Sequence, residues 1–192
     1  MTTVSPSQAE INSVIALYSN GQIQEALDAV ETLTKDYPKE PLLYNISGVC
    51  YKAIGQLEAA VKSFEKALAI KPDYAEVNYN LGLTLQELGQ LDDAVKFYEK
   101  VLSLSPHNAE TYSNLGLTFQ ELAQPDDAVK CYEKALAINP DYAEAHNNLG
   151  VSLNELGRLD EAVKCYEKAL TLKPDYTEAT NNLDIVLKEL SS

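Results

Sequence analysis

The sequence predicts an all-α solenoid of five helical hairpins followed by one further helix. One segment recurs five times in the 192 residues, with a period of about 34 residues that suits a helix–turn–helix unit. Each copy keeps an alanine in its second half, at Ala26, Ala60, Ala94, Ala128 and Ala162. Each copy also keeps a proline near its end, at Pro38, Pro72, Pro106, Pro140 and Pro174. The predicted repeats are 7–40, 41–74, 75–108, 109–142 and 143–176.

The first repeat follows a polar lead over residues 1–6, which we expect to be disordered. Apolar residues at helical spacing place its two helices at about 7–19 and 23–35. Val14 occupies a position where the later repeats have glycine, and such divergence is typical of a terminal repeat.

The second repeat predicts helices near 41–54 and 57–70. Its small residues Gly48 and Ala60 fall where the two helices of a hairpin would face each other. A large side chain at either position would hold the helices apart, so these residues predict a close helix–helix approach.

The third repeat predicts both a helix start and a helix stop. Asp73 can accept the third helical N–H while Glu76 reaches back, which is a capping box. The same spacing recurs at Asp141 with Glu144 and at Asp175 with Glu178. Gly89 is expected to end the first helix in a left-handed conformation, which costs glycine little.

The fourth repeat departs from this pattern at its central turn, where Ala123-Gln124-Pro125 replaces glycine-X-leucine. Pro125 suits the first turn of a helix, since it has no N–H to lose there. Ala123 would be modestly strained if it kept the backbone angles of the glycine. We therefore expect a locally altered turn without a break in the array.

The stretch 177–192 starts as a sixth repeat and stops after one helix, with Asp184 in place of the glycine that would admit a partner helix. One interpretation is a polar capping helix, which a repeat array needs at its end. The other is that a longer natural protein continues beyond this point.

Composition limits the class of partner. The net charge of −14 and the pI near 4.5 make nucleic acid and anionic membrane unfavourable partners. No apolar run approaches the ~18 residues of a membrane helix, and the N-terminus lacks the pattern of a secretory signal. We expect a cytoplasmic protein with its three cysteines, Cys50, Cys131 and Cys165, reduced.

No catalytic arrangement is visible in the sequence. His107 and His146 have no cysteines or carboxylates at metal-ligand spacing. Neither a glycine-rich phosphate loop nor a nucleophile elbow occurs. We predict a protein that is not an enzyme and uses no metal or cofactor.

The informative feature is a stripe of residues spaced 4, 3 and 4 apart, which places them on one face of each first helix. The stripe comprises Glu76, Asn80, Leu83 and Glu87, then Glu110, Asn114, Leu117 and Glu121, then Glu144, Asn148, Val151 and Glu155, and finally Glu178, Asn182, Ile185 and Glu189. These sets lie away from the core residues Leu81, Leu85 and Leu88. The sequence therefore predicts an acidic and amide-bearing face along the first helices.

The second repeat interrupts this stripe with the apolar residues Leu42, Ile46, Val49 and Ala53, preceded by Ile15 in the first repeat. A contiguous apolar patch on an otherwise acidic surface suggests a docking point. The alternative is that the N-terminal lead folds back over it.

The 34-residue period with its alanines, glycines and prolines resembles the tetratricopeptide repeat family over nearly the whole chain. The resemblance implies a right-handed superhelix whose concave groove, lined by the first helices, binds extended peptides. The asparagines Asn80, Asn114, Asn148 and Asn182 are similar to the ladder with which the repeat domain of O-linked N-acetylglucosamine transferase grips a peptide backbone. The alternative is that asparagine is simply common at this place in the family.

The family's clamp for the C-terminal carboxylate of heat-shock chaperones uses lysines, arginine and asparagines. The corresponding places here hold mainly glutamate, asparagine and aliphatic residues, so we do not expect that partner. We expect a protein-binding scaffold for neutral or basic peptides, with Glu87, Glu121 and Glu155 favouring the basic ones. Two alternatives remain: the recruiting domain of a larger glycosyl- or sulfo-transferase, and a self-assembling repeat protein.

Overall fold

The computed structural model describes residues 5–191, and within that range the fold is entirely helical. The helices are α1 Gln8–Ser19, α2 Ile23–Asp36, α3 Pro41–Ala53, α4 Leu57–Ile70, α5 Ala75–Glu87, α6 Leu91–Leu104, α7 Ala109–Glu121, α8 Pro125–Ile138, α9 Ala143–Glu155, α10 Leu159–Leu172 and α11 Thr177–Leu190. The predicted all-α class is confirmed. Most of the predicted disordered lead, residues 1–4, lies outside the described range.

The chain divides into two compact units, an N-terminal unit that ends at Lys100 and a C-terminal unit that begins at Val101. In the N-terminal unit, a core formed by α1, α2 and α3 surrounds buried side chains such as Val14, Val30 and Leu43. In the C-terminal unit, α8 to α11 enclose Tyr132, Tyr166 and Val186 among others. Each unit therefore has a hydrophobic core of its own.

A glycine pressed against an aromatic ring sets the close approach of the two helices in most hairpins. The pairs are Gly48 with Phe64, Gly82 with Tyr98, Gly116 with Tyr132, and Gly150 with Tyr166. In the first hairpin the equivalent positions hold Val14 and Val30, both 1% exposed. Two medium side chains there fill the space that glycine and a ring share elsewhere, which explains why this repeat tolerates Val14.

The turns between the helices of a hairpin follow the predicted left-handed geometry. Gly89 has φ +71°, and Ala123 in the fourth repeat has φ +55°. Ala123 N–H donates to Gln120 O over 2.9 Å, the same length as the bond from Gly89 N–H to Gln86 O. The prediction of an altered turn was wrong, because Ala123 accepts the strained backbone conformation and Pro125 starts α8 as its first residue.

The three predicted capping boxes do not form. The N-caps of α5, α9 and α11 are Tyr74, Tyr142 and Tyr176, and none makes a side-chain capping bond. The carboxylate of Glu76 instead accepts a hydrogen bond from Asn45 of the preceding first helix. Side-chain caps are found at Ser7, in a capping box with Glu10, and at Asn108, which accepts from Thr111 N–H over 2.9 Å.

The hydroxyl of Thr111 is buried without a hydrogen-bond partner. Val77 occupies the equivalent place in the third repeat and is fully buried. We expect Thr111→Val to raise the free energy of unfolding by about 1 kcal/mol, because the shape is kept and an unsatisfied polar group is removed. Urea denaturation measures this change. The control is Thr118→Val, which should destabilise, since the Thr118 hydroxyl donates to Asn114 O over 2.8 Å.

Helix α11 packs one face against the C-terminal unit and leaves the other face exposed, and its role as a cap stays a prediction. Ala179 and Val186 are buried against the C-terminal unit, as expected of a cap. Its other face exposes apolar side chains, with Ile185 at 51% and Leu187 at 46% exposure. Leu187 corresponds to the buried Leu153 of the preceding repeat, a position that the second helix of a complete hairpin covers.

Candidate functional site

The predicted stripe lies on α7, α9 and α11 of the C-terminal unit, where α9 packs beside both of the other helices. Asn114, Asn148 and Asn182 are half-buried there, and Glu121 and Glu155 are exposed. In the N-terminal unit the same positions on α5 show a half-buried Asn80 and an exposed Glu87. All four predicted asparagines are therefore partly accessible to solvent.

Within the C-terminal unit Asn148 and Asn182 belong to a hydrogen-bond network between neighbouring first helices. Asn147, which is fully buried, is its centre. Its amide nitrogen donates to Glu178 Oε1 over 3.1 Å and to Asn148 Oδ1 over 3.2 Å. Its amide oxygen accepts from Asn182 Nδ2 over 3.0 Å. These bonds hold the asparagines of α9 and α11 at defined positions relative to each other.

The N-terminal unit repeats this arrangement around Asn45, which is 3% exposed. Asn45 donates to Glu76 Oε1 over 2.9 Å, and its amide oxygen accepts from Asn80 Nδ2 over 3.1 Å. Sequence analysis missed Asn45 and Asn147 as members of the site. The available signal was an asparagine next to a core position in the second and fifth repeats, at a place where the other three repeats carry Ile11, Tyr79 and Ser113.

A second set of contacts ties this face to the hairpin core. Gln120 accepts a short hydrogen bond from the buried Tyr132 hydroxyl, and its amide nitrogen donates to Asn148 O over 3.3 Å. Burial raises the pKa of Tyr132 far above its usual value, so the phenol stays protonated and remains a donor. The packing of α8 therefore fixes the backbone next to Asn148.

The charge of the face differs between the two units. In the N-terminal unit Glu87 is paired with Lys52 at 2.9 Å, which offsets its attraction for a basic ligand. In the C-terminal unit the first helices carry one lysine, Lys188, against seven carboxylates. These are Glu110, Glu121, Glu144, Glu155, Glu178, Asp184 and Glu189. The C-terminal unit therefore presents the more strongly acidic stripe.

The predicted apolar patch is only partly available as a docking surface. Leu42 and Ile46 are half-buried and pack against the core of the N-terminal unit. Val49 is half-buried as well, and Ile15 is 46% exposed. Leu42 and Ile46 thus contribute to the packing of α3 in the N-terminal core, whereas Ile15 and Ala53 stay exposed.

The described residues 5–191 contain no group of three or more side chains suited to hold a metal ion. Within the same range no helix is long and apolar enough to cross a membrane. His146 is bonded through Nε2 to Pro140 O at 2.9 Å, so its ring anchors the turn before α9. The cysteines Cys50, Cys131 and Cys165 are all free thiols.

Each unit has a cavity that opens on its surface within the described residues. The cavity of the C-terminal unit has a volume of about 660 Å³ and lies between the turns that precede α7 and α9. The cavity of the N-terminal unit has a volume of about 480 Å³ and lies between α2, α3 and α4. Ser47 and Ser63 line the second cavity and contact each other at 3.4 Å between their hydroxyl oxygens.

Three family models match the chain. Two described as tetratricopeptide repeat match residues 73–141 and 143–176, and one described as TPR repeat matches residues 48–89. The peroxisomal targeting signal receptor of Kluyveromyces lactis is 33% identical over 67 residues, which is 35% of this chain and 12% of the receptor. The chain thus spans about an eighth of the length of that curated relative.

Solved structures share the fold. A crystal structure of MamA aligns with 86% of this chain and 96% of its own, at 25% identity and a TM-score of 0.81. The first TPR of Spaghetti (RPAP3), bound to the HSP90 peptide SRMEEVD, aligns with 62% of this chain and 94% of its own. Its identity is 30% and its TM-score 0.61. Both similarities agree with an array of helical hairpins.

Proposed function

The chain belongs to the tetratricopeptide repeat family, and on that premise we propose that it is a non-catalytic scaffold which binds an extended neutral or basic peptide. The observation that carries the proposal is the stripe of the C-terminal unit. There each of α7, α9 and α11 presents one half-buried asparagine, Asn114, Asn148 or Asn182, between glutamates. The proposed binding residues of the N-terminal unit are Asn80 and Glu87, with Leu42, Ile46 and Val49 as an apolar margin.

The spacing of the helices suits an extended backbone. Neighbouring packed helices lie ~8–10 Å apart, and an extended peptide advances ~3.3 Å per residue. One asparagine per first helix would therefore meet about every third peptide residue. Because Asn148 and Asn182 are both tied to Asn147, their amides are held in place before a ligand arrives. Such preorganisation reduces the entropic cost of binding.

The chemistry of the asparagine amide predicts low sequence preference. It offers two donor hydrogens and an acceptor oxygen, so it can pair with a peptide group without contacting its side chain. The bonds to Asn147 use only part of this capacity, since Asn182 donates one hydrogen and Asn148 accepts with one oxygen. Sequence preference would then come from charge.

The carboxylates of the stripe favour lysine- or arginine-containing segments over acidic ones. Attraction between exposed charges is screened over ~10 Å at 0.1 M salt, so this preference should weaken as salt is added. The RPAP3 relative binds the acidic HSP90 peptide SRMEEVD. The acidic face of the C-terminal unit disfavours a peptide of that charge, and SRMEEVD is therefore a useful negative probe.

We expect the double variant Asn114→Ala, Asn148→Ala to bind neutral and basic peptides more weakly by the same factor. That factor is roughly 30-fold, for two lost hydrogen bonds of about 1 kcal/mol each. The double variant Glu121→Gln, Glu155→Gln should lower the affinity for the basic peptide only, by a few fold. Isothermal titration calorimetry with a neutral peptide of about twelve residues, its lysine-substituted form and SRMEEVD measures these effects.

The matched control for charge is Glu133→Gln with Glu167→Gln, which removes two exposed carboxylates from the second helices instead. This control should leave all three affinities unchanged. Tighter binding of SRMEEVD than of the basic peptide would contradict the proposal. So would equal losses from the control and from the Glu121 and Glu155 variant.

A further inference from the structure

The turn before α11 contains a lysine held by two groups. Lys173 Nζ lies 3.3 Å from Glu144 Oε1 and 4.7 Å from the centroid of the Tyr176 ring. The ammonium thus bridges the first turn of α9 and the aromatic residue that precedes α11. A similar lysine occurs in the N-terminal unit, where Lys71 Nζ lies 4.5 Å from the Tyr74 ring centroid.

The preceding turn of the C-terminal unit keeps the receiving groups and lacks the lysine. Glu110 and Tyr142 stand 34 residues before Glu144 and Tyr176, and Asn139 takes the place of Lys173. The Asn139 side chain is too short to span this gap. Its oxygen accepts instead from Asp141 N–H over 3.3 Å, which turns the side chain toward its own backbone.

The space that the lysine would fill is open. It is the cavity of about 660 Å³ whose lining includes both Glu110 and Tyr142. The rest of the lining is Ser105, Pro106, His107, Asn108, Ala109 and Asn139. Asn108 enlarges the opening, since the following two repeats carry tyrosine at this position. The cavity therefore combines a carboxylate, an aromatic ring and short side chains.

We propose that this cavity, the lysine pocket, binds a lysine side chain supplied by a partner peptide. The incoming ammonium would take the place that Lys173 Nζ takes one repeat later, between the Glu110 carboxylate and the Tyr142 ring. A carboxylate has about four acceptor sites, so Glu110 can bind the ammonium while it accepts other hydrogen bonds. The methylene stem would pack along Pro106 and Ala109, as long cationic side chains do on apolar surface.

The pocket adjoins the proposed peptide-binding face, because Glu110 is the first residue of the stripe on α7. The inference rests on the proposed function in one respect, namely that the lysine arrives as part of a bound peptide. The pocket adds one position at which the side chain of that peptide is recognised. A lysine near the segment bound by Asn114 would give the scaffold a preference that backbone contacts alone do not provide.

The pocket can be tested apart from the stripe with two small probes and the full-length chain. Nα-acetyl-lysine N-methylamide carries the ammonium, and the norleucine analogue keeps the stem without the charge. In amide NMR titrations we expect the lysine probe to shift residues 105–110 and 139–142 with a Kd about five-fold below that of norleucine. That ratio is what one exposed ion pair and one cation–π contact contribute.

Variants that fill, weaken or copy the pocket complete the test. Asn139→Lys should abolish the lysine-specific shifts, because the new side chain fills the pocket as Lys173 does. Glu110→Gln should remove most of the five-fold preference for lysine. This variant keeps the test valid if Asn139→Lys does not fold. Lys173→Asn should create a second lysine-specific site around residues 139–144 and 173–176.

Equal shifts with the norleucine probe, or lysine-specific shifts that persist in Asn139→Lys, would overturn the pocket. A Lys173→Asn protein that gains no second site would also count against it. Failure of the pocket and failure of the stripe are distinguishable. If a neutral peptide binds but the lysine probe does not shift the amide signals of residues 105–142, the pocket alone is overturned. Lysine-specific shifts without neutral-peptide binding support the pocket and count against the stripe.

Discussion

Deleting residues 177–192 is expected to lower the thermal unfolding midpoint by roughly 10 °C. The deletion removes α11, whose Val186 and Ala179 are fully buried, with Leu183 packed against the same core. Fully burying a valine or leucine side chain stabilises by about 1.5–3 kcal/mol. Loss of Val186 and of the partly buried Leu183 therefore corresponds to a few kcal/mol, and each kcal/mol shifts the midpoint by roughly 2–4 °C in a chain of this length.

The deletion also removes hydrogen bonds of the buried Asn147. Asn147 keeps its bond to Asn148 but loses its bonds to Glu178 and Asn182, which lie 31 and 35 residues away along the chain. Each lost hydrogen bond of this kind costs about 0.5–1.5 kcal/mol. Circular dichroism melts of the full and shortened chains measure the total effect. An unchanged midpoint would show that α11 does not cap the C-terminal unit.

Point variants on the two faces of α11 separate packing from chain length. Val186→Ala, on the buried face, should lower the free energy of unfolding by about 1–3 kcal/mol. Leu187 is 46% exposed, and Leu187→Ala should change the free energy of unfolding by less than about 0.5 kcal/mol. Equal effects of the two variants would contradict the assignment of the buried face.

Replacing Gly150 by alanine is expected to lower the free energy of unfolding by about 1–3 kcal/mol, although alanine favours a helix more than glycine. A methyl group on Gly150 would lie 2.6 Å from the nearest carbon of the Tyr166 ring. That ring is 1% exposed and packed within the core of the C-terminal unit, so it has little room to move. The clash therefore outweighs the helix propensity gain of up to about 1 kcal/mol.

Asp184 supplies a matched control, because it holds the position of Gly150 on α11, where no second helix of a hairpin packs within the described residues 5–191. Comparing Asp184→Gly with Asp184→Ala should show alanine more stable by up to about 1 kcal/mol, the ordinary propensity difference. If alanine is less stable than glycine at position 150 but more stable at position 184, the loss at position 150 comes from the contact with the Tyr166 ring. Gly150→Ala should also cost less in a Tyr166→Leu background, and an unchanged cost there would exclude Tyr166 as the cause.

Local features of this fold were predictable because they depend on interactions within a few residues. The predicted helix 57–70 coincides with Leu57–Ile70. The left-handed turn at Gly89 and the start of α8 at Pro125 follow from the backbone preferences of those residues. The repeat period similarly showed that positions 110, 142 and 144 have counterparts 34 residues away.

Tertiary structure decided which of several possible partners each polar side chain takes. Glu76 could cap its own helix or reach a neighbour, and the packing of α3 beside α5 brings the Asn45 amide within 2.9 Å of it. Asn147 looked like an ordinary helix residue until α11 placed Glu178 and Asn182 against it. The proposed lysine pocket likewise depends on the packing that places Asn139 and Glu110 in the lining of one cavity. Sequence periodicity determined the hairpins, whereas these long-range contacts exist only once neighbouring hairpins pack.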